Sequence, residues 1–237
     1  MEGKNEISII ASQFNKMMKQ INNQMDEIKQ VSEMKKDAEI RALEAQINPH
    51  FIYNTLDSIH WLAIENGEDE ISEMLSEFAQ ILRYQISGSN DVVKIKEEME
   101  YLKKYLFLQK IRFMDNFEYA IDCEEGILDC HIHKMIFQPL IENAIIHGYA
   151  NIRHGGFLRI KIYHINESGI CFSITDNGRG MSPEKVGEVF GEGGSTPSIG
   201  VSNVLARLKL YYGDSYRMEV HSEENRGTSI KITIPKM

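Results

Sequence analysis

Basic charge is what this sequence has little of. Its 26 Lys and Arg are outnumbered by 35 Asp and Glu, giving a net charge of −9. No basic stripe gathers them, which excludes the clustered phosphate contacts of a nucleic-acid binder. Cysteine is nearly absent: Cys123, Cys130 and Cys171 have no metal-ligand spacing and leave one unpaired, so they read as reduced cytosolic thiols and not as a disulfide framework. No apolar run is long enough to cross a bilayer and no leader peptide is visible, so the chain as it stands reads as soluble. Internal repeats and low-complexity tracts are missing too. What is left, 237 residues with 42% hydrophobic content, suffices for one or two globular units.

Residues 5–34 carry a heptad of Ile7, Ile10, Phe14, Met17, Ile21, Ile28 and Val31, with Gln24 at one seam position. Steps of three and four sustained this long indicate a coiled coil, hence a dimer, with the polar seam residue setting register. The seam then changes phase through Val31, Ala38, Ala45, Ile52 and Ile59, a stutter that locally unwinds a coiled coil. The pattern predicts one long helix over residues 5–65, bent near Pro49. Asn66-Gly67-Glu68-Asp69 reads as a helix stop and a short turn. A second helix follows with Ile71, Met74, Leu75, Phe78, Leu82 and Ile86 on one face, ending near Ser87-Gly88-Ser89-Asn90. Two antiparallel helices per chain, doubled by the coiled coil, make a dimeric four-helix bundle, so residues 1–90 are expected to form a homodimer. A third helix over residues 95–113 turns Met99, Leu102, Leu106 and Phe113 toward a core.

After Asp115-Asn116 the period drops to two. Phe117/Tyr119/Ile121, Leu158/Ile160/Ile162, Ile170/Phe172/Ile174 and Ile230/Ile232/Ile234 alternate with polar neighbours, and a shorter run holds Met218 and Val220. These are strand signals; residues 131–147 read as a helix between them. A sheet apolar on one face needs helices over that face, hence a two-layer α/β sandwich. The predicted fold class is α plus α/β, in three parts: a coiled-coil helix over 1–34, bundle helices over 35–115 and the sandwich over 116–237.

Four segments carry groups with chemistry. In Gln46-Ile47-Asn48-Pro49-His50-Phe51-Ile52-Tyr53-Asn54 a proline directly precedes a histidine within a helical pattern. Proline lacks an N–H and clashes with the carbonyl four residues back; equally, Asn48 caps a fresh helix with Pro49 at its first position. Ile52, Leu56, Ile59 and Ala63 form an inward seam, while His50, Asn54, Asp57 and Trp61 line another face. His50 is therefore presented, and histidine is the side chain most readily available as a neutral nucleophile near pH 7. A solvated histidine with no task is the plain alternative. In Gln138-Pro139-Leu140-Ile141-Glu142-Asn143-Ala144, Glu142 and Asn143 are polar groups in an apolar run. A carboxamide oxygen can coordinate a hard cation, although a helix cap or polar face explains the pair as well. Asp176-Asn177-Gly178-Arg179-Gly180-Met181 follows a strand. Its glycines let backbone approach a ligand, and Asp176 can accept a hydrogen bond from an exocyclic amine; a simple glycine turn is the alternative. Finally Gly191, Gly193, Gly194, Ser195, Thr196 and Pro197 lead into Ser198-Ile199-Gly200-Val201-Ser202-Asn203, a helix start. Helix N-termini bind phosphate, and a flexible surface loop fits the glycines equally.

In order and spacing, the last three segments resemble the ATP-binding domain shared by histidine kinases, gyrase-type ATPases, Hsp90 chaperones and MutL (the Bergerat or GHKL fold). Together with Gln46 to Asn54 they are similar to the LytS/YesM-type sensor histidine kinases, whose phosphoacceptor lies in a like Asn-Pro-His-Phe-x-Tyr-Asn segment. That resemblance runs from residue 36 to the C-terminus. Asn5-Glu6-Ile7 through Phe14-Asn15-Lys16-Met17 also resembles the second helix of a HAMP signal-relay module.

The resemblance implies a two-component sensor kinase that phosphorylates His50 from ATP and passes the group to an aspartate of a response-regulator receiver domain, with phosphatase activity as a companion. Asn143 would hold Mg²⁺ and Asp176 would contact adenine. Gly178 and Gly180 would shape the base pocket, Gly200 would approach the phosphates, Asn203 would join the nucleotide-binding set, and Thr228 would lie near the adenine side. Residues 182–199 would form a lid packed by Phe190. Phe51 follows His50, so no carboxylate stands at the next position; Glu142 is the candidate base, and Asn54, one turn beyond His50, the candidate for orienting a hydrolytic water. Rotation or bending around Pro49 would control access to His50. Sensor and membrane segments would precede residue 1, making this the cytoplasmic portion of an integral protein of the bacterial cell membrane. Two positions depart from the family pattern: Ser198 stands for the first glycine of the lid's Gly-x-Gly, and Ile146 for a lysine after the magnesium asparagine, leaving His147, Arg153 or Arg179 as phosphate cations. The rival readings are a gyrase- or Hsp90-like ATPase with no phosphoenzyme, and a dimeric interaction module whose nucleotide site has decayed.

Overall fold

The computed structural model describes Met17, Gln24, Met25 and residues 49–86, 92–149, 155–166, 168–191 and 197–237. Met17, Gln24 and Met25 are helical; the rest of the predicted coiled coil, its phase change, Gln46 to Asn48, the stop at Ser87 to Asn90, Arg153 and the loop from Gly193 to Thr196 lie outside the described residues. The chain divides into two compact units, Met1–Asn54 and Thr55–Met237.

Helix α1 (Pro49–Glu65) has Pro49 as the first of its described residues. It stops where predicted: Gly67 takes a left-handed φ of +72° and its N–H donates to the Ile64 carbonyl. Asp69 and Glu70 then open α2 (Asp69–Ile86), their charges favourable at a helix N-terminus. Of the predicted inward seam on α1, Ala63 is buried and Ile52 and Leu56 are half-buried, but Ile59 stays exposed; on α2 so do Ile71, Phe78 and Ile86.

A short strand β1 (Val92–Lys94) runs directly into α3 (Ile95–Arg112). Ile95, Met99, Leu102 and Leu106 fall on its inner face and are buried in the core that also holds the sheet residues. The sheet is built from β2 (Phe117–Cys123), β4 (Gly156–Asn166), β5 (Gly169–Asp176), β6 (Arg217–Glu223) and β7 (Gly227–Pro235), in the order β2-β4-β5-β7-β6. Among the described strands only β2 and β4 pair in parallel. The alternation works as read: Leu158, Ile160 and Ile162 share the buried face with Ile170, Phe172, Ile174, Ile230, Ile232 and Ile234. The central strand β5 departs from it, because Cys171 and Ser173 on the opposite face are buried too.

The helix predicted over 131–147 is corrected. His131–His133 is a strand, β3, paired antiparallel with β1, and helix begins only at α4 (Gln138–Asn143). Ile132, Ile136 and Leu140 are spaced by four and all buried, which imitates a helix face. Met135, at φ +56°, breaks the run between them. After Asn143 the helix widens over Ala144–Gly148 into a π turn, a form that recurs at functional sites. Two helices complete the layer, α5 (Pro183–Phe190) and α6 (Ile199–Tyr212).

Candidate functional site

One cavity of about 820 Å³ opens between the sheet end and helices α4, α5 and α6. Leu140, Ala144, Ile174, Met181, Val189 and Ile230 make its apolar walls, and Asn143, His147, Asp176, Arg179, Ser198 and Thr228 bring polar groups to it.

Asp176 ends β5 and is only 7% exposed. Its Oδ1 accepts the backbone N–H of Gly178 at 2.8 Å and of Thr228 at 3.3 Å. Both bonds fall on one oxygen, so Oδ2 is the acceptor left for a ligand. Burial raises the carboxyl above the usual carboxylate range, and the two N–H groups draw it partly back. Asn177, next in sequence, is a brace: it accepts from Phe157 N–H at 2.6 Å and donates to the Gly155 carbonyl at 2.8 Å.

The two glycines of this loop are required for different reasons. Gly178 packs so closely on Gly148 that a Cβ would stand 2.6 Å from the Gly148 carbonyl oxygen and 2.8 Å from Asp176 Oδ1. Gly180 adopts φ +61°, and a Cβ there would overlap the Glu223 carbonyl. Thr228 is held by its hydroxyl, 2.9 Å from Ser222 Oγ, so its N–H meets Asp176.

At the other side, Gly200 in the first turn of α6 lies against Asn143: a Cβ at Gly200 would be 3.6 Å from Asn143 Nδ2 and 3.9 Å from Oδ1. A carboxamide and a helix N-terminus thus meet at one wall, a donor set that suits phosphate oxygens and a hard cation together. Ser198 is the N-cap of α6, at φ −58° and ψ 152°. Any L residue adopts that conformation, so the backbone there does not call for glycine, and serine is among the favoured N-cap residues. Ile146 is exposed on the π turn and does not line the cavity; the basic side chains that do are His147, Arg179 and Lys185.

Asn143, His147, Asp176, Gly180, Gly200, Thr228 and Phe190 are thereby gathered at one cavity, with Gly178 packed behind it. Besides Gly178, two predicted residues do not line it. Asn203 is exposed further along α6. Glu142 is engaged elsewhere: Gln138 Nε2 donates to its Oε1 at 2.7 Å, and the Tyr105 hydroxyl of α3 bonds it as well. Among the lining residues that the sequence assigned to no site are Gly148, Glu224 and Asn225. The last two reach the cavity because β6 and β7 pair Glu223 with Gly227, which folds the turn back; Asn225 then donates its N–H to the Arg179 carbonyl at 2.6 Å.

His50 and Asn54 lie together on α1, both exposed. Asn54 Nδ2 is 3.3 Å from His50 Nδ1 and 3.4 Å from Nε2, so it can donate to a ring nitrogen one helical turn away.

A family model described as histidine kinase matches residues 38–117, and one described as histidine kinase-, DNA gyrase B- and HSP90-like ATPase matches residues 131–237. The sensor histidine kinase YesM of Bacillus subtilis (strain 168) is 36% identical across 97% of this chain and 39% of its own length. Sensor histidine kinase YpdA of Escherichia coli (strain K12) is 31% identical across 87% of this chain and 36% of its own. Sensor protein LytS of Staphylococcus saprophyticus is 29% identical across 84% of this chain and 34% of its own. The chain therefore spans well under half the length of these curated relatives.

Proposed function

This chain belongs to the sensor histidine kinases of the LytS/YesM type, and on that premise we propose that it transfers the γ-phosphoryl group of ATP to His50 and from there to an aspartate of a response-regulator receiver domain. The observation that carries this reading is the convergence of Asp176, Asn143 and Gly200 on one cavity, in a chain that also presents an exposed histidine on a helix.

On this reading each group at the cavity takes a role. Adenine lies at the Asp176 end, its amine donating to Oδ2, with Gly178, Gly180 and Thr228 shaping that wall. The phosphates lie toward Gly200, where free N–H groups of α6 meet oxygen charge. Asn143 would hold Mg²⁺ through its carboxamide oxygen, and the ion when bound neutralises phosphate charge. Arg179 supplies a cationic group in place of the missing lysine, and His147 a second basic side chain. Helix α5, with Phe190 at its end, lines the cavity on the side that a lid over the nucleotide would occupy.

Phosphoryl transfer passes through a loose transition state, so positioning and charge neutralisation supply most of the catalysis. A ring nitrogen of His50 forms a bond to the γ-phosphorus in line, the bond to the β–γ bridging oxygen breaks, and ADP leaves. The ring proton passes to a base, for which Glu142 is kept as the candidate: it adjoins Asn143 on α4, although it does not itself line the cavity. Asn54 orients a water for the reverse duty, removal of the phosphoryl group from the regulator.

On this reading residues 1–34 are a HAMP-like signalling helix, 35–115 the dimerisation and phosphotransfer helices, and 116–237 the ATP-binding domain. Homodimerisation is supported by Ile59, Ile71, Phe78 and Ile86, apolar side chains exposed along α1 and α2 in the single chain. Among the described residues no helix is long and apolar enough to cross a membrane, and we assign the chain to the cytoplasmic part of a membrane sensor. A chase tests the function. Protein labelled with [γ-³²P]ATP, then mixed with a receiver domain, passes its label to the receiver as an acyl phosphate. Release of free phosphate with no labelled protein at any time favours the gyrase-like ATPase instead.

A further inference from the structure

Glu142 terminates a hydrogen-bond chain that starts on α2. Gln85 Nε2 donates to the Tyr101 hydroxyl oxygen at 3.1 Å. That hydroxyl donates to Gln138 Oε1 at 2.6 Å, and Gln138 Nε2 donates to Glu142 Oε1 at 2.7 Å. All three donors point the same way, toward the carboxylate, so each bond polarises the next. The carboxylate also fixes the Gln138 amide: turned over, it would set its oxygen against Glu142. Tyr101 and Gln138 are both buried, so neither finds water as a substitute partner. Burial pushes the Tyr101 and Tyr105 hydroxyls well above the usual phenol range, which keeps both as donors.

A second strap runs beside the first. The Tyr84 hydroxyl donates to Glu98 Oε2 at 2.6 Å, and Glu98 accepts the Met135 N–H at 3.1 Å. Arg207 of α6 donates to the Lys134 and Met135 carbonyls at 2.6 and 3.0 Å. Neighbouring residues of α2, Tyr84 and Gln85, thus hold the loop leading into α4 and the carboxylate adjoining Asn143.

We propose that Gln85, Tyr101 and Gln138 are positioning residues for phosphoryl transfer, fixing Glu142 beside Asn143 and making its placement depend on α2. This rests on the reading that His50 is phosphorylated from ATP in the cavity with Glu142 as base. It adds a physical line from a bundle helix to the helix of the nucleotide pocket, through side chains that do not line the cavity.

The test is a double-mutant cycle on the full chain with Mg-ATP. Tyr101→Phe removes one hydroxyl and keeps the ring that stacks on Tyr84 at 4.6 Å. It is expected to slow His50 labelling at saturating ATP about tenfold, the effect of roughly 1.4 kcal/mol, with the nucleotide Kd unchanged. In the Glu142→Gln background the same substitution is expected to cost nothing further, since the group it positions is gone. Gln85→Leu, at the half-buried end of the chain, repeats the test should Tyr101→Phe fail to fold. Equal slowing in both backgrounds, a proportionate loss of ATP affinity, or no slowing overturns the proposal. Glu142→Gln labelling at the wild-type rate while His50→Ala stays unlabelled also overturns it and leaves the kinase reading intact. An unlabelled wild type removes both.

Discussion

Asp176→Asn alters one side-chain atom at a place where two oxygens have different jobs. Oδ1 accepts Gly178 and Thr228 N–H groups, and an amide must keep its oxygen there, because two N–H donors cannot face an NH₂. The nitrogen therefore replaces Oδ2 and points a donor at the adenine amine. A hydrogen bond to a charged group is worth about 1.5–3 kcal/mol, so ATP affinity is expected to fall about 10- to 150-fold. Stability moves the other way. Burial sets the folded carboxyl above its unfolded value; the contribution this makes to the fold is complete below the unfolded carboxylate pKa and is lost as pH rises through the folded one. An asparagine never ionises, so at neutral pH the nucleotide-free D176N variant should melt above wild type, by about 2–4 °C for each 1 kcal/mol relieved. The gap should close as pH drops below the unfolded carboxylate range. Titration calorimetry with ATP and melting curves across pH measure the two halves separately. A Kd within about threefold of wild type would refute the contact with the base, and a variant that melts lower at neutral pH would refute the burial argument.

Three further outcomes are expected. Gly180→Ala places a Cβ against the Glu223 carbonyl at φ +61°; the left-handed backbone alone costs about 1–2 kcal/mol, so melting should fall by at least about 2 °C with loss of ATP binding, and an unchanged melting point would contradict the packing described. Phe78→Asp puts a charge on the exposed apolar face of α2 and should weaken the dimer by about two orders of magnitude in sedimentation, the worth of one buried aromatic; an undiminished dimer would place the interface elsewhere. Ser198→Gly at the α6 N-cap should change stability by only a few tenths of a kcal/mol and leave ATP affinity within about twofold, whereas a large gain in turnover would mean that the serine restrains the cover after all.

The strands were legible because a sheet with one buried face writes its period into the sequence, as Leu158, Ile160 and Ile162 do. β3 was not, since Ile132, Ile136 and Leu140 are all buried on the helical spacing of four although they lie on a strand, a loop and a helix. The glycine-bearing half of the cavity could be read because Gly178 and Gly180 mark places where a Cβ has no room. Glu224 and Asn225 could not, because only the register of β6 on β7 brings that turn to the cavity. Nor could the orientation of Glu142, which depends on Tyr101, 37 residues from Gln138 along the chain. Pairings of that kind leave no local period to find.

The most direct measurement maps phosphate on the protein after incubation with Mg-ATP, comparing wild type, His50→Ala and Asp176→Asn under alkaline conditions that preserve phosphohistidine. An acid-labile group is expected on a ring nitrogen of His50, absent from the first variant and strongly reduced in the second at limiting ATP. A label that persists without His50, or ATP consumed while His50 remains bare, would contradict that expectation.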